Sequence, residues 1–153
     1  LFGRVGVYTK AELEPRAEAM YEAYSKAINI EARAMIDIAS KQIIPAVIKY
    51  TTVLADSIQK VKAVSEDADT TTQEEMLLET SDLLRDSRTA LARLEEVTAA
   101  ALEVEVGETQ ALYYLKTVKT AMDALRAPVD KLEMVVDKEM WPMPSYGDLI
   151  FEV

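Results

Sequence analysis

Residues 17–64 read AEAMYEAYSKAINIEARAMIDIASKQIIPAVIKYTTVLADSIQKVKAV, a stretch with no glycine and a single proline, Pro45. Its apolar side chains recur every three or four residues, which places them on one face of an α-helix. In the second half of the stretch this face consists of Ile44, Val47, Thr51, Leu54, Ile58 and Val61. No glycine or turn cluster adjoins Pro45, so we expect one long helix that the proline bends without ending.

The first half of this helix has a wider apolar face than one neighbouring helix requires. Met20, Tyr24 and Ile28 follow the helical spacing, and Tyr21 and Ile30 broaden the stripe. A stripe of this width indicates more than one neighbour.

The composition excludes several classes of protein. The 153 residues are 50% hydrophobic and 29% charged, which is typical of a folded single domain. The net charge of −10 and the lack of a basic patch argue against nucleic acid or an anionic membrane as partner. No apolar run approaches the roughly 20 residues that a membrane-spanning helix needs.

Cysteine and histidine are both absent from the sequence. Their absence excludes disulfides, thiolate metal sites and cysteine nucleophiles, and it is compatible with an intracellular location. It also removes the commonest general base and the Glu-x-x-His pattern of di-iron bundles. Because the first residue is Leu1 and not methionine, we expect the chain to be an excised or processed piece.

The predicted fold is all-α: an elongated antiparallel three-helix bundle with one overlong, proline-kinked first helix and an extended C-terminal tail. Pro15 suits the first position of helix 1, Thr72 and Glu75 have capping-box spacing before helix 2, and Gly107 has the position of its C-cap. The expected divisions of this single domain are a lead-in at 1–14, helix 1 at 15–64, an acidic loop at 65–72, helix 2 at 73–106, helix 3 at 108–139 and the tail at 140–153.

The third helix has the most regular pattern in the chain. Its predicted core face consists of Leu115, Val118, Met122, Leu125, Val129, Leu132 and Val136. The pattern keeps its phase across Pro128, so we expect that proline to bend the helix without ending it. Two prolines in three residues, Pro142 and Pro144, exclude a helix in the tail.

The three helices have unequal lengths. At about 1.5 Å per residue, the first spans roughly 75 Å and the other two roughly 45–50 Å each. If helix 2 folds back along helix 1, it ends near residue 32 and leaves the apolar face of residues 17–30 without partners. We therefore expect an overhang that docks on another segment or on a second copy of the chain. The predicted interface residues are Met20, Tyr21, Tyr24 and Ile28 on the overhang and Trp141, Tyr146 and Phe151 in the tail.

No constellation of residues indicates catalysis. The acidic loop lacks the glycine and the ligand order of an EF-hand, so we interpret it as solvated and not as a calcium site. Glu95, Glu96 and the glutamates between 103 and 108 fall mainly outside the core, which favours a solvated face over an acid–base pair. Tyr113, Tyr114 and Trp141 are interpreted as aromatic anchors between helices or at the end of the bundle.

The tail carries a recognisable motif. Residues 140–151 read MWPMPSYGDLIF and resemble the terminal signature of type III glutamine synthetases, Trp-Pro-x-Pro-Thr-Tyr-Gly-Asp-Leu-Leu-Phe, with mild departures at Ser145 and Ile150. Residues 28–32 (INIEA) and 41–50 (KQIIPAVIKY) are similar to the segment of the same family just after its catalytic core. Residues 1–13 resemble the linker before that segment, although Pro15 is unusual there. The resemblance covers essentially the whole chain.

The resemblance implies the C-terminal helical domain of that family, an accessory region of a large cytoplasmic homo-oligomer. In the family, ATP with Mg or Mn supports the joining of ammonia to glutamate in an upstream β-rich catalytic domain. None of the motifs of that domain lies in this chain. The resemblance therefore implies no catalytic, cofactor-binding or metal-binding residue here, and it implies the upstream catalytic domain and other subunits as partners.

Two other classes of function compete with this interpretation. A free-standing helical adaptor bundle would bind a partner helix along an apolar groove. An enzyme or metal carrier built inside the bundle would need histidine, cysteine or an inward acidic pair, and the sequence offers none of these clearly.

Overall fold

Residues 10–143 are described by the structure, a computed structural model, and form three helical rods. The first rod consists of α1 (Lys10–Ile38), a π-helical turn (Ala39–Ile43) and α2 (Ile44–Val64), and the second is α3 (Thr71–Ala101). The third rod consists of α4 (Glu108–Tyr113), a second π-helical turn (Tyr114–Val118) and α5 (Lys119–Val135). The predicted all-α class and the number of helices are confirmed for this part of the chain.

Two clusters of buried side chains hold the rods together. The first joins α1, the C-terminal half of α3 and the N-terminal half of the third rod, and it includes Ile28, Leu91, Leu94, Tyr114 and Leu125. The second joins α2, the N-terminal half of α3 and the end of α5, and it includes Val47, Tyr50, Leu132 and Trp141. Because early residues of one rod pack with late residues of the next, consecutive rods run in opposite directions.

The first helix begins earlier than predicted. α1 starts at Lys10, so Pro15 lies inside the helix and not at its first position, and residues 10–14 are helical and not a lead-in. A proline this close to the start removes only the bond to the carbonyl of Ala11, and the helix continues beyond it. Residues 1–9 lie outside the described part of the chain.

Pro45 follows a π-helical turn. The Ile44 amide donates to the carbonyl of Ala39, five residues back, and Pro45 then lies in the first turn of α2. A proline is tolerated there because it has no N–H to donate. The wider π turn also gives the proline ring space, which explains why the first rod continues through this position.

A second π-helical turn changes which residues of the third rod face the core. The Lys119 amide donates to the carbonyl of Tyr114, so one extra residue is accommodated before α5. Tyr114 is buried, whereas Leu115 is 46% exposed. The predicted core face is therefore wrong at Leu115 and correct from Val118 to Val136, with Val129 partly buried. α5 ends at Val135 and contains Pro128, whereas helix 3 was predicted to reach 139.

The N-terminal end of α3, after the acidic loop, differs from the prediction. α3 begins at Thr71, and the hydroxyl of Thr70 contacts the carboxylate of Glu74 at 2.9 Å. The Thr71 amide donates to Asp69 Oδ1 at 2.9 Å, and Lys62 Nζ donates to the carbonyl of Ala68 at 2.7 Å. The capping box predicted at Thr72 and Glu75 is therefore wrong. Thr70 holds the N-cap position of α3, but its hydroxyl makes no hydrogen bond with a backbone amide of the first turn.

We expect Asp69→Ala to lower stability at neutral pH and to have a smaller effect in acid. Hydrogen bonds from the side chain and then the backbone of Thr71 lower the pKa of Asp69 below its ordinary 3.8, and the charge of Lys62 lowers it further. The stabilisation is therefore present above 3.8 and is lost as the pH falls through the lower pKa of the folded state. Urea unfolding of both proteins at pH 7 and near pH 3 measures this. A difference that persists unchanged in acid would contradict it.

Gly107 begins the third rod and does not cap the second helix, contrary to prediction. α3 ends at Ala101, and Gly107 is the residue before α4, with a φ of 120°. At the C-terminal end of α3, the carbonyl of Ala101 accepts from Gln110 Nε2 of the third rod at 2.9 Å and from the Val104 amide at 3.3 Å. The carbonyl belongs to a fully buried residue.

Gln110→Ala is expected to reduce the free energy of unfolding by about 1 kcal/mol, since it removes one hydrogen bond to a carbonyl with little access to water. Chemical denaturation followed by circular dichroism measures this loss. Thr109→Ala, at the exposed neighbouring position, is the matched control and should leave stability nearly unchanged. Equal effects of the two substitutions would show that the Gln110 hydrogen bond is not stabilising.

Candidate interaction surface

The four apolar residues predicted to form an uncovered overhang lie at different depths. Ile28 is 7% exposed and belongs to the first core cluster, and Tyr24 packs against that cluster. Tyr21 is half-buried, and Met20 is 71% exposed. The expectation that the whole face of residues 17–30 lacks partners is therefore wrong, because its C-terminal half is covered by this chain itself.

The connection between α3 and α4 covers the C-terminal half of the apolar face of residues 17–30. The amides of Leu102, Glu103 and Val104 each donate to a carbonyl three residues back, so the chain continues past the end of α3 in helical turns. α4 then packs against α1. A cleft lies between them, lined by Glu22, Ser25, Lys26 and Asn29 of α1 and by Leu102, Val106, Gln110 and Tyr114. The bundle therefore contacts α1 at least from Glu22 to Asn29.

The part of α1 before Glu22 is mostly exposed, with Ala17 and Tyr21 half-buried. We call residues 10–21 the N-terminal arm, which at 1.5 Å per residue is about 18 Å long. In the sequence, Ala17, Met20 and Tyr21 continue the helical spacing of Tyr24 and Ile28. The arm thus extends the apolar stripe of the core face past the point where this chain covers it.

The predicted interface residue Trp141 lies in the second core cluster. Its side chain is 8% exposed and packs with α2 and α5 residues of that cluster. The Trp141 and Met140 amides both donate to the carbonyl of Asp137, which turns the chain back after α5. Trp141 and Tyr114 are therefore anchors within the bundle, as their interpretation from the sequence predicted. Tyr146 and Phe151 lie outside the described residues.

Two buried tyrosines have raised pKa values. Burial raises the pKa of Tyr114, although the charge of Arg33 acts in the opposite direction. Burial also raises the pKa of Tyr50, and the negative charge of Asp137 adds to the effect. Neither hydroxyl adjoins an arrangement of acids and bases, so these shifts reflect packing in the two cores.

The carboxylates proposed as a solvated face are exposed. Glu95, Glu96, Glu103, Glu105 and Glu108 are all exposed, so the prediction that they lie outside the core is confirmed. Among residues 10–143 no group of three carboxylates is arranged to hold a metal ion. Within the same range, none of the helices has the length and apolar character needed to cross a membrane.

The buried polar groups of the bundle next to the N-terminal arm were not predicted from the sequence. The hydroxyls of Tyr24 and Ser25 and the Asn29 side-chain oxygen are enclosed without a hydrogen-bond partner in the described structure. Ser25 lies one residue from Tyr24 on the apolar face of α1. A small polar residue within an apolar stripe was the feature of the sequence that could have indicated these buried polar groups. The face beside the arm is consequently more polar than the stripe alone indicates.

Comparisons with known proteins find similarity to glutamine synthetases. Residues 1–62 match the family model described as the glutamine synthetase C-terminal domain. The chain is 31% identical over 154 residues to a glutamine synthetase of Butyrivibrio fibrisolvens, covering 100% of this chain and 22% of that protein. It is 26% identical over 149 residues to a glutamine synthetase of Bacteroides fragilis, covering 95% of this chain and 20% of that protein.

A third relative carries the subtype in its name. The chain is 27% identical over 158 residues to the type-3 glutamine synthetase of Dictyostelium discoideum, covering 99% of this chain and 21% of that protein. The chain thus spans about a fifth of the length of the curated relatives it matches. The family resemblance inferred from residues 140–151 is confirmed, and the chain belongs with the C-terminal domain of glutamine synthetases, the type-3 proteins among them.

Proposed function

We propose that this chain is a non-catalytic accessory domain of a type III glutamine synthetase and that it serves assembly. The parent enzyme would join ammonia to glutamate with ATP and Mg or Mn in an upstream catalytic domain, in a cytoplasmic homo-oligomer. The chain itself would hold no cofactor and would not turn over glutamate alone. Its relatives support the parent's identity, and the exposed carboxylates and lack of histidine support the absence of a reaction centre.

The N-terminal arm carries the assembly role. It continues the apolar helix stripe of α1 over about 18 Å, and Met20 on it is 71% exposed. A helix stripe that leaves the core uncovered is normally buried by another surface. We infer that the arm packs on the upstream body of the same enzyme or on a neighbouring subunit, and that Met20 and Tyr21 form the contact.

The overlong first rod presents this arm. The π turn at Ala39–Ile43 and Pro45 lie between the arm-bearing helix α1 and α2, which packs in the second core cluster. Both features commonly bend helices, so we infer a bend at this position that sets the direction of the arm relative to α2. The rest of the bundle, an antiparallel three-helix arrangement ending in an extended tail, serves as the base for it.

Met20→Glu in the full-length enzyme tests the proposal. Burying a carboxylate against an apolar partner is unfavourable, so the dissociation constant of the assembly should rise at least about tenfold, with a parallel loss of glutamine synthesis. Native mass measurement across a dilution series and turnover assays report the two effects. The isolated 153-residue chain carrying the same substitution should keep its thermal stability.

A second exposed methionine supplies the control. Met134, on α5, is 85% exposed and is not part of the arm, so Met134→Glu should leave mass and turnover unchanged. If Met20→Glu leaves both properties at the level of Met134→Glu, the arm is not an assembly contact. If Met20→Glu instead unfolds the isolated chain, the effect is one of folding and the proposal fails.

A further inference from the structure

The two core clusters meet part-way along the bundle, and the first and third rods are both irregular there. The buried residues of the first rod pass from the first cluster to the second between Ala39 and Ile43, within the π turn. In the third rod the change falls between Leu125 and Leu132, on either side of Pro128. Each of these rods therefore carries a helix irregularity at the boundary between the clusters.

On α3, Ser87 occupies the same boundary. It lies between Leu84, which packs against the second cluster, and Leu91, which belongs to the first. Ser87 is fully buried, and its hydroxyl has no hydrogen-bond partner among the described residues. A large apolar side chain at this position would join the two clusters, whereas serine adds little apolar contact and leaves a polar group unsatisfied. The packing between the clusters is therefore weak on the second rod as well.

The helix backbone is weakened at the same boundary. Pro128 has no N–H, so it cannot donate the helical hydrogen bond to the carbonyl of Ala124. Pro45 lacks the same donor in the first rod, directly after the π turn. Prolines and π turns are the usual causes of helix bends. Both rods therefore bend more readily here than an uninterrupted helix would.

A groove leaves free space beside these irregular segments. Ala39 and Ile43 of the first rod and Leu125 and Val129 of α5 all line it, so the two segments lie side by side. The groove encloses about 440 Å³, and its lining includes no described residue of α3. A closely packed core resists relative movement of its helices, whereas a space of this size permits the first rod and α5 to approach each other.

We propose that the bundle hinges at this seam, defined by Ala39–Ile43, Ser87 and Pro128, and that its two halves move as rigid bodies. One half holds the first core cluster and the N-terminal arm, and the other holds the second core cluster. α3 is continuous through the seam and curves as the halves move, which keeps them connected. Bending towards the groove fills free space and changes the direction of the arm relative to α2. The inference concerns the bundle alone and does not depend on the proposed role in assembly.

Distances between pairs of nitroxide labels in the full 153-residue chain test the proposal. The chain has no cysteine, so Glu31→Cys with Thr52→Cys places two labels across the seam at exposed positions, about 32 Å apart along the first rod. Glu18→Cys with Ala34→Cys, also exposed and about 24 Å apart within α1, is the reference pair. Pulsed electron paramagnetic resonance should give a distance distribution about twofold broader for the pair across the seam. Equal widths for the two pairs would overturn the proposal.

Two double variants separate a hinge at the seam from flexibility elsewhere. Ser87→Ala removes the unpaired hydroxyl and Pro128→Ala restores an N–H within α5, so together they should narrow the distribution across the seam to the reference width. Pro15→Ala with Thr80→Val also removes a helical proline and an unpaired buried hydroxyl, but away from the seam, and should leave the width unchanged. Equal responses of the two double variants would overturn the assignment of the hinge to the seam.

Amide hydrogen exchange distinguishes hinging from local unfolding. If the two halves move as rigid bodies, the helices that carry the labels stay formed, and the amides of residues 48–56 in α2 should exchange no faster than those of residues 24–34 in α1. Rapid exchange confined to residues 48–56 would mean that the label at Thr52→Cys moves because α2 unfolds around it, which contradicts the proposal.

Discussion

Leu94→Ala is expected to lower the free energy of unfolding by about 2–5 kcal/mol. The Leu94 side chain is fully buried on α3, in the cluster where all three rods meet. Its removal loses both the transfer of apolar surface from water and the packing of the surrounding side chains, because three helices cannot all move into the space left behind. Chemical denaturation monitored by circular dichroism measures the loss.

An exposed leucine on the same helix is the matched control. Leu78 is 67% exposed, so Leu78→Ala should change the free energy of unfolding by less than about 0.5 kcal/mol. Both positions are leucine to alanine changes within α3, and helix propensity affects them alike. Similar losses at the two positions would show that the cluster around Leu94 does not hold the rods together.

Gly107→Ala should destabilise the chain by about 1–3 kcal/mol, the second largest effect that we expect. Gly107 has φ 120° and ψ −144°, a backbone conformation that is essentially restricted to glycine. A Cβ added at this position would meet no atom within 4 Å, so steric contact with the rest of the chain does not contribute. The loss therefore measures backbone strain at the turn that starts the third rod.

Val106→Ala tests whether the Gly107 effect is specific. Val106 precedes Gly107 in the same turn and is 64% exposed, so its truncation should have little effect on unfolding. A loss for Gly107→Ala no larger than that for Val106→Ala would mean that the turn adopts another conformation. α4 would then pack at another position on α1, and the residues assigned to the N-terminal arm would change.

The helical rods were predictable because an apolar spacing near 3.6 residues, sustained over such lengths, is specific to α-helices. The π turns were not predictable. Each inserts one residue into the helical period without any change in composition, so Tyr114 and Leu115 exchange the buried position while both remain apolar. The bounds of α1 were missed for a related reason, since Pro15 is a strong signal for a helix start and only a modest obstacle within the first turns.

The extent of the overhang depended on a connection that periodicity does not describe. The prediction assumed that α1 has no neighbours beyond the point where helix 2 ends. It did not take into account residues 102–107, which continue past α3 and place α4 against α1. Ile28 consequently belongs to the core of this chain. The apolar stripe correctly identified the face of α1 that is buried, but a stripe contains no information about which surface buries it.

Methionine oxidation of the isolated chain and of the full-length enzyme tests the central claim, that the N-terminal arm is covered on assembly. Met20 and Met134 are both largely exposed in this chain and should form sulfoxide at similar rates when it is isolated. In the assembled enzyme we expect Met20 to become protected while Met134 keeps its reactivity, as measured by peptide mass spectrometry. Unchanged oxidation of Met20 on assembly would contradict the account.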